Sequence, residues 1–170
     1  MEAVAQTENG RTLNELEGYF KKFSDMPREV VLKHDLLRDG HWFTERASAY
    51  ARDRVVFGRP IGANQGIQFP IAQAYAHIEA ADLMRFHAAA KFERNEKCGA
   101  EANMAKLLAS EAAWEAANVC LNTFGGYGFA RDYDVERKFR ETRVLTTAPV
   151  SNNMVLAFLG QNVLGMPRSY

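Results

Sequence analysis

The segment ANMAKLLASEAAWEAANVCLNTFGGYGF, residues 102–129, decides the fold, because it joins a long apolar helix to a glycine-rich turn. Small side chains recur in it at helical spacing, at Ala105, Ala109, Ala112, Ala116, Val119 and Cys120. Small residues along one face let a neighbouring helix approach closely. We therefore predict a helix over residues 100–124 that packs against another helix and stops at Gly125 or Gly126.

A second long helix is predicted just before it, over residues 66–94. Its apolar stripe also has helical spacing, with Ile67, Ile71, Ala74, Ile78 and Ala81. The turn NEKCG, residues 95–99, is short, and a short connection makes two helices antiparallel neighbours. Both helices are apolar on more than one face. This predicts self-association, because a lone bundle would expose a large apolar patch.

The rest of the chain is also predicted to be helical. Two short helices precede a stop at Asp39–Gly40, and three more helices follow over residues 41–56, 132–145 and 151–163. Alternating strand-like runs are nearly absent. The predicted fold class is all-α, an up-down four-helix-type bundle with extra short N-terminal helices.

Composition excludes several classes of protein. The 170 residues are 47% hydrophobic and 25% charged, with 21 acidic and 21 basic side chains. A net charge of zero gives no general attraction to nucleic acid or to an anionic membrane surface. No apolar run reaches the roughly 18 residues that a membrane span needs.

The two cysteines, Cys98 and Cys120, lie far apart in unrelated contexts, and no histidine–cysteine cluster predicts a metal site. We interpret both as thiols of a reducing compartment. The first residues, MEAVAQTENGR, are polar and unlike a signal peptide. The expectation is a cytoplasmic protein without a metal.

Two further motifs have more than one interpretation. In YARDRVVFGRPIGANQ, residues 50–65, Arg54 and Phe57 could pair a phosphate and stack an adenine, or could be a helix cap and a core residue. The turn NTFGGYG, residues 122–128, could bring its backbone close to a ligand, with amides leading into the next helix as a pyrophosphate site. It could equally be a plain helix C-cap.

The order and spacing of these motifs closely resemble the C-terminal helical domain of the acyl-CoA dehydrogenases. The family pattern is YA-x-x-R-x-x-FG-x-PI, a long helix, AK, Q-x-x-GG-x-G and ER-x-x-R, and the resemblance covers residues 41–170. Residues 1–40 diverge from it and are expected to form a separate helical segment. The family's N-terminal helical domain and middle β-barrel have no counterpart in these 170 residues.

The resemblance implies a set of flavin contacts. In the family, the arginine and phenylalanine of the first motif reach the FAD of a neighbouring subunit, and the later glutamine and the glycine pair also lie at the flavin. Asn122 stands where the family has a longer glutamine. The implied cofactor-binding residues are Arg54, Phe57, Gln65, Asn122, Gly125, Gly126, Ser151 and Asn153.

The usual catalytic base is absent from its expected position. Many family members carry it as the glutamate of a Y-E-G-T loop, and Pro149 stands there in TTAPVSNN. Another branch of the family has its glutamate on the preceding helix, which corresponds to a position near Arg28. Glu29 is beside it and is the remaining candidate. We expect no catalysis by this chain alone, since the α-proton needs a positioned base.

Two functions remain open. The first is an FAD-dependent acyl-CoA dehydrogenase, an oxidoreductase that introduces an α,β double bond into an acyl-CoA, represented here by its C-terminal domain. Its expected partners are a second copy of itself in a homodimer or homotetramer, an acyl-CoA substrate and an electron-transfer flavoprotein. The alternative is a non-catalytic helical oligomerisation or flavin-binding module.

Overall fold

The computed structural model describes residues 35–168, so Glu29 and the short helices predicted before residue 35 lie outside the described part of the chain. Five α-helices follow one another along the described residues. They are α1 (Asp35–Asp53), α2 (Gln65–Glu93), α3 (Gly99–Phe124), α4 (Val135–Val144) and α5 (Asn152–Phe158). The fold class predicted from the sequence, an all-α bundle, is confirmed.

The two long helices α2 and α3 lie antiparallel. Lys91, near the end of α2, pairs with Glu101, near the start of α3, with 2.6 Å between Nζ and Oε1. Further along, His77 and Glu115 meet at 2.6 Å. The predicted bounds of both helices are correct to within one residue, because their apolar stripes and the intervening turn are local features of the sequence.

The core lies where α3 packs against α1 and α2. Phe43 of α1 and Ile78 of α2 are fully buried, together with the small residues Ala113 and Ala117 of α3. Burial of a large apolar side chain contributes about 1.5–3 kcal/mol. The small residues of α3 let two helices approach it at once, so α3 is the central element of the bundle.

Helix α1 begins six residues earlier than the sequence predicted. It runs through Asp39–Gly40, which we had interpreted as a stop signal. A Cβ at Gly40 would lie 3.0 Å from Ile78 Cδ1 and 3.6 Å from Ala113 Cα. Gly40 therefore lets α1 cross the other two helices at close range, a contact that short-range patterns do not contain.

The described chain has very little strand. Val55–Val56 and Arg59–Pro60 form a two-residue antiparallel hairpin directly after α1. This hairpin ends α1 at Asp53, whereas the sequence predicted a helix to Val56. The hairpin reverses the chain and leads through a short 3₁₀ turn, Ile61–Ala63, into α2.

The last two helices are shorter than predicted. A 3₁₀ turn, Arg131–Tyr133, occupies the start of the predicted fourth helix, and a π-helical turn, Leu159–Val163, continues α5. Helix α4 is tied to α1 by Asp39, whose carboxylate receives hydrogen bonds from Lys138 and, at 3.2 Å, from Thr142. None of the helices within residues 35–168 is both long and apolar enough to cross a membrane.

Candidate functional site

A compact, exposed loop follows α1. The Arg54 carbonyl accepts a hydrogen bond from the Ile61 N–H at 2.9 Å, which closes the hairpin at its base. The Arg59 guanidinium donates to Asn64 Oδ1 at 2.7 Å. These bonds fix the loop between α1 and α2, and they place Gln65 at the first residue of α2 with an exposed side chain.

Phe57 lies at the tip of this hairpin. Its side chain is 101% exposed, and its backbone adopts a φ of 53°. A positive φ is costly for a bulky residue, and water around a free phenyl ring is unfavourable as well. Of the two interpretations left open by the sequence, a core phenylalanine is wrong. An exposed aromatic ring held in a strained turn is typical of a binding surface.

The Arg54 side chain links two motifs that are 73 residues apart in sequence. Its guanidinium carbon lies 5.4 Å from the centre of the Tyr127 ring, within the glycine-rich turn. Both side chains are exposed. A cation over an aromatic face is attracted by the ring quadrupole, worth about 0.5–1 kcal/mol at an exposed site. The sequence did not single out Tyr127, although an aromatic residue between glycines was a usable signal.

An aromatic cluster beneath this contact holds the two motifs in place. Tyr50 of α1 stacks on Phe124 of α3 with 4.0 Å between ring centres and 18° between ring planes. Tyr133 packs edge-on against both rings, and also against Tyr127 at 5.6 Å. The end of α1, the end of α3 and the turn between α3 and α4 are thereby joined.

The glycines of the turn have distinct roles. Gly125 ends α3 with a φ of 58°, which favours glycine, and it is exposed. A Cβ at Gly126 would meet nothing within 4 Å, so its backbone is open to a ligand. At Gly128 a Cβ would lie 2.9 Å from Leu121 Cδ1 and 3.1 Å from the Leu121 carbonyl. Gly128 is required for packing, whereas Gly126 leaves room.

The glycines do not lead straight into α4 as the sequence had suggested. Two 3₁₀ turns intervene, and Asp134 is the residue before α4. Arg137 holds the Asp134 carboxylate at 2.5 Å, and this hydrogen bond lowers the pKa of Asp134. The charges of Asp134 and Arg137 balance each other, so this pair neither creates nor removes an anion site at the start of α4. The pyrophosphate contact there stays a prediction.

Six of the predicted residues lie at one end of the bundle. The end of α1, the start of α2 and the end of α3 meet there, since α2 and α3 are antiparallel. Arg54, Phe57, Gln65, Asn122, Gly125 and Gly126 are all exposed at this end. We call these six residues the loop-end surface.

Ser151 and Asn153 lie elsewhere. Ser151 caps α5, its hydroxyl accepting a hydrogen bond from the Met154 N–H at 3.3 Å, and Asn153 is exposed. Their neighbour Asn152 contacts Ser110, which lies near the middle of α3. Fourteen residues separate Ser110 from Phe124 along α3, which is about 21 Å at 1.5 Å per residue. One chain thus carries two separate groups of predicted contacts.

The loop before α5 holds no carboxylate. Pro149 is exposed in it, and Thr146 and Thr147 donate their hydroxyls to the carbonyls of Arg143 and Val144. The acidic residues of the neighbouring α4 are already paired, Glu136 with Arg140 and Glu141 with Arg137. No described side chain of this loop can accept the proton that the missing glutamate would take.

A cavity of about 570 Å³ lies between α1 and α2. His41, Glu45, Ser48, Arg52 and Tyr75 are among the residues that line it, and it includes none of the predicted flavin contacts. The charge of nearby Glu79 raises the pKa of Tyr75. Within residues 35–168, no group of three or more histidine, cysteine, aspartate or glutamate side chains is arranged to hold a metal.

The architecture defines the chain as a helical bundle with an exposed, glycine-rich end. Residues 36–164 match the family model described as the acyl-CoA dehydrogenase C-terminal domain, and the chain belongs to this family. Membership explains why motifs far apart in sequence meet at one end of the bundle. It also places the chain among oxidoreductase sequences.

Three similar proteins illustrate the relationship. Acyl-CoA dehydrogenase FadE12 of Mycobacterium tuberculosis is 39% identical over 146 residues, which are 85% of this chain and 38% of that protein. A caffeyl-CoA reductase–Etf complex subunit, CarC, of Acetobacterium woodii is 38% identical over 102 residues, 60% of this chain and 27% of the subunit. Relatives of the chain thus include a component of an Etf complex.

A solved structure shows the same fold. Butyryl-CoA dehydrogenase from Megasphaera elsdenii superposes with a TM-score of 0.79 at 26% identity, covering 91% of this chain and 40% of that one. The chain spans less than half the length of each of these three proteins.

Proposed function

We propose that this chain is the C-terminal helical part of an FAD-dependent acyl-CoA dehydrogenase-type oxidoreductase. In that reaction a base removes the α-proton of an acyl-CoA thioester, and the flavin accepts the β-hydride. The 170 residues contribute flavin contacts and no base of their own in the loop around Pro149. We expect no turnover from them alone.

The observation that carries the proposal is the contact of Arg54 with Tyr127. It joins the first motif to the glycine-rich turn, and the Arg54 side chain is exposed at the end of the bundle that also carries Gly126, whose backbone is open. A guanidinium beside free backbone is suited to a diphosphate, and the exposed Phe57 ring is suited to stacking on an adenine. These residues fit FAD.

Two copies of the chain are proposed to complete the site. The loop-end surface is about 21 Å along α3 from Ser110, which contacts Asn152, the neighbour of Ser151 and Asn153. Each chain therefore offers two half-sites, and a homodimer or homotetramer would bring complementary halves together. Helix α2 supports association, because it exposes a row of large apolar side chains: Phe69, Tyr75, Leu83 and Phe86.

The physiological partners follow from the same proposal. An acyl-CoA is the substrate of the complete enzyme, and an electron-transfer flavoprotein is its electron acceptor. Association of the related CarC subunit with an Etf complex supports the second partner. Both cysteines are buried thiols, which suits the reducing interior of the cytoplasm.

A second candidate function rests on the loop before α5. Pro149 cannot accept a proton, and the loop contains no carboxylate. A chain that keeps the flavin contacts and lacks the base would be a non-catalytic flavin-binding or oligomerisation module. The two candidates share the flavin and differ in turnover.

The test begins with purified chain titrated with FAD, followed by quenching of the flavin fluorescence. Binding without turnover of a panel of short and long acyl-CoAs, with an artificial electron acceptor, is the expected result. Turnover that is lost in Glu29→Gln would assign the base to the N-terminal segment and contradict the expected inactivity. Failure to bind FAD at any protein concentration would refute the flavin role and leave only oligomerisation.

A further inference from the structure

Lys106 is a buried amine that donates a hydrogen bond to a side-chain amide. It lies on α3, is 3% exposed, and its Nζ donates to Asn152 Oδ1 at 2.5 Å. The two residues are 46 positions apart in the sequence. Lysine is almost never fully buried unless it is paired, so this contact has a structural or functional reason.

The environment of Lys106 is unusual for a lysine. Burial lowers the pKa of its ammonium group to about 8, although the charge of Glu111 acts in the opposite direction. Desolvation of a charged amine costs several kcal/mol unless donors and acceptors are matched. The hydrogen bond to Asn152 offsets part of this cost.

The acceptor oxygen is shared by a second donor. The Ser110 hydroxyl, one helical turn along α3 from Lys106, lies 2.9 Å from both Asn152 Oδ1 and the Leu107 carbonyl, so its single proton is shared between two acceptors. Two donors on one oxygen fix the rotamer of the Asn152 side chain and determine which of its ends carries the oxygen. The Asn152 backbone N–H is held as well, donating to the Thr146 carbonyl at 3.1 Å.

Asn152 is the first residue of α5 and lies between Ser151 and Asn153. The adjacent Val150 and Val155 are buried in a small apolar cluster. The start of α5 is thus held by apolar packing and by the hydrogen bonds of Asn152 with Lys106 and Ser110. Ser151, which is half-buried, and Asn153, which is exposed, flank Asn152 in this segment.

We propose that Lys106 is a positioning residue that, together with Ser110, holds Asn152 and so sets the orientation of Ser151 and Asn153 toward the flavin. The role of Lys106 in flavin binding rests on the proposed function. The contact with Asn152 itself is independent of any ligand. Lys106 touches neither flavin nor substrate in this arrangement and acts through Asn152.

The decisive variant is Lys106→Met, which keeps an apolar stem of similar length and removes the amine. We expect faster hydrogen exchange at the amides of residues 152–155, with unchanged exchange in α1 and α2. FAD affinity should fall about 3- to 10-fold, the value of one or two lost hydrogen bonds. Lys91→Met is the matched control, since Lys91 pairs with Glu101 at the α2–α3 turn.

Changes at the acceptor separate positioning from packing. Asn152→Asp keeps an oxygen for Lys106 and should bind FAD within about twofold of the unaltered chain, whereas Asn152→Leu should match Lys106→Met. The double variant of Lys106→Met and Asn152→Leu should lose no more than either single change, because both remove the same contact. Should Lys106→Met fail to fold, Ser110→Ala removes one of the two donors to Asn152 and should give a smaller loss of FAD affinity.

Other results of these measurements would contradict the role of Lys106. Additive losses in the double variant, or a uniform loss of exchange protection across all helices, would show that Lys106 only packs and would overturn the proposal. Absence of FAD binding by the unaltered chain would refute the proposed function and, with it, the role of Lys106 in flavin binding. The exchange measurement would then still decide whether Lys106 anchors α5.

Discussion

Tyr50 and Phe124 stack with 4.0 Å between ring centres, and this contact joins the last turns of α1 and α3. It lies directly beneath the loop-end surface. Phe124 is 4% exposed, while Tyr50 is half-buried and reaches toward the turn. The position of the proposed flavin contacts therefore depends on an aromatic contact in the core.

Truncation of this contact should be costly. Phe124→Ala is expected to lower the free energy of unfolding by about 3–5 kcal/mol, because it removes a buried ring and leaves a cavity. Guanidinium denaturation followed by circular dichroism measures the change. Phe129→Ala is the control, since Phe129 is 70% exposed and should change stability by less than about 0.5 kcal/mol. Equal effects of the two changes would contradict the packing role of Phe124.

Two glycines of the turn should differ in effect, Gly128 on the stability of the fold and Gly126 on FAD affinity. Gly128→Ala places a Cβ against the Leu121 backbone and should destabilise the fold by about 1–3 kcal/mol. The Cβ that Gly126→Ala adds meets no atom within 4 Å. The stability of this variant should therefore be nearly unchanged, while its FAD affinity falls. Thermal unfolding and FAD titration of both variants check this. A stable Gly128→Ala or a flavin-neutral Gly126→Ala would contradict the assignment.

Arg54 should contribute to flavin affinity through its charge. Arg54→Ala is expected to weaken FAD binding about tenfold, the value of one charge-assisted hydrogen bond with a phosphate. Arg52→Ala is a matched control, because Arg52 is also exposed near the end of α1 and lines the cavity between α1 and α2. An equal loss in the control would indicate general electrostatic attraction only.

Helix α2 should carry the self-association surface. Leu83 and Phe86 are 71% and 53% exposed, and Leu83→Glu combined with Phe86→Glu should shift the chain toward monomer in sedimentation velocity. A buried carboxylate at an interface has no partner, which makes association unfavourable. Val144→Glu on α4, at 56% exposure, should leave the assembly unchanged. A monomeric unaltered chain at tens of micromolar would refute self-association.

Lys106 should make stability depend on pH. Its pKa is about 8 in the folded chain and near 10.5 when exposed, so the unfolded chain binds more protons between these values. The free energy of unfolding should therefore rise with pH from about 8 to 10.5, and the gain should be absent in Lys106→Met. The pH-dependent part of the difference between the two proteins should not exceed about 3–4 kcal/mol.

Cys120 acts in the opposite direction. Burial raises the pKa of its thiol to about 12, so the folded chain keeps a proton that the unfolded chain loses from about pH 9 upward. The thiol therefore lowers the free energy of unfolding at high pH, equally in the unaltered chain and in Lys106→Met. Its effect cancels when the two free energies are subtracted. Denaturation midpoints at pH 7, 8, 9 and 10 measure the effect. A pH-independent difference would contradict the lowered pKa of Lys106.

The sequence predicted the long helices well and their neighbours less well. The stripes of α2 and α3 and the turn NEKCG are local, and local periodicity is enough to define a helix. The start of α1 was misplaced, since Asp39–Gly40 was interpreted as a stop. Only the close crossing at Ile78 shows why a glycine is needed within that helix.

For the candidate site, the sequence predicted which residues belong to it, and the structure showed where they lie. Order and spacing of the motifs identified the family and all eight proposed flavin contacts from the sequence, because residue types and intervals are recorded in the chain itself. The structure added where they lie: six at one end of the bundle, and Ser151 and Asn153 on either side of Asn152, which contacts Ser110 near the middle of α3.

The sequence by itself determined the all-α class, the paired long helices, the family and the absence of a carboxylate around Pro149. Tertiary structure alone decided that Arg54 lies over Tyr127 and that Lys106 donates to Asn152. These contacts join residues 73 and 46 positions apart. Side-chain contacts at such separation depend on how helices pack and cross, and helical periodicity carries no information about that.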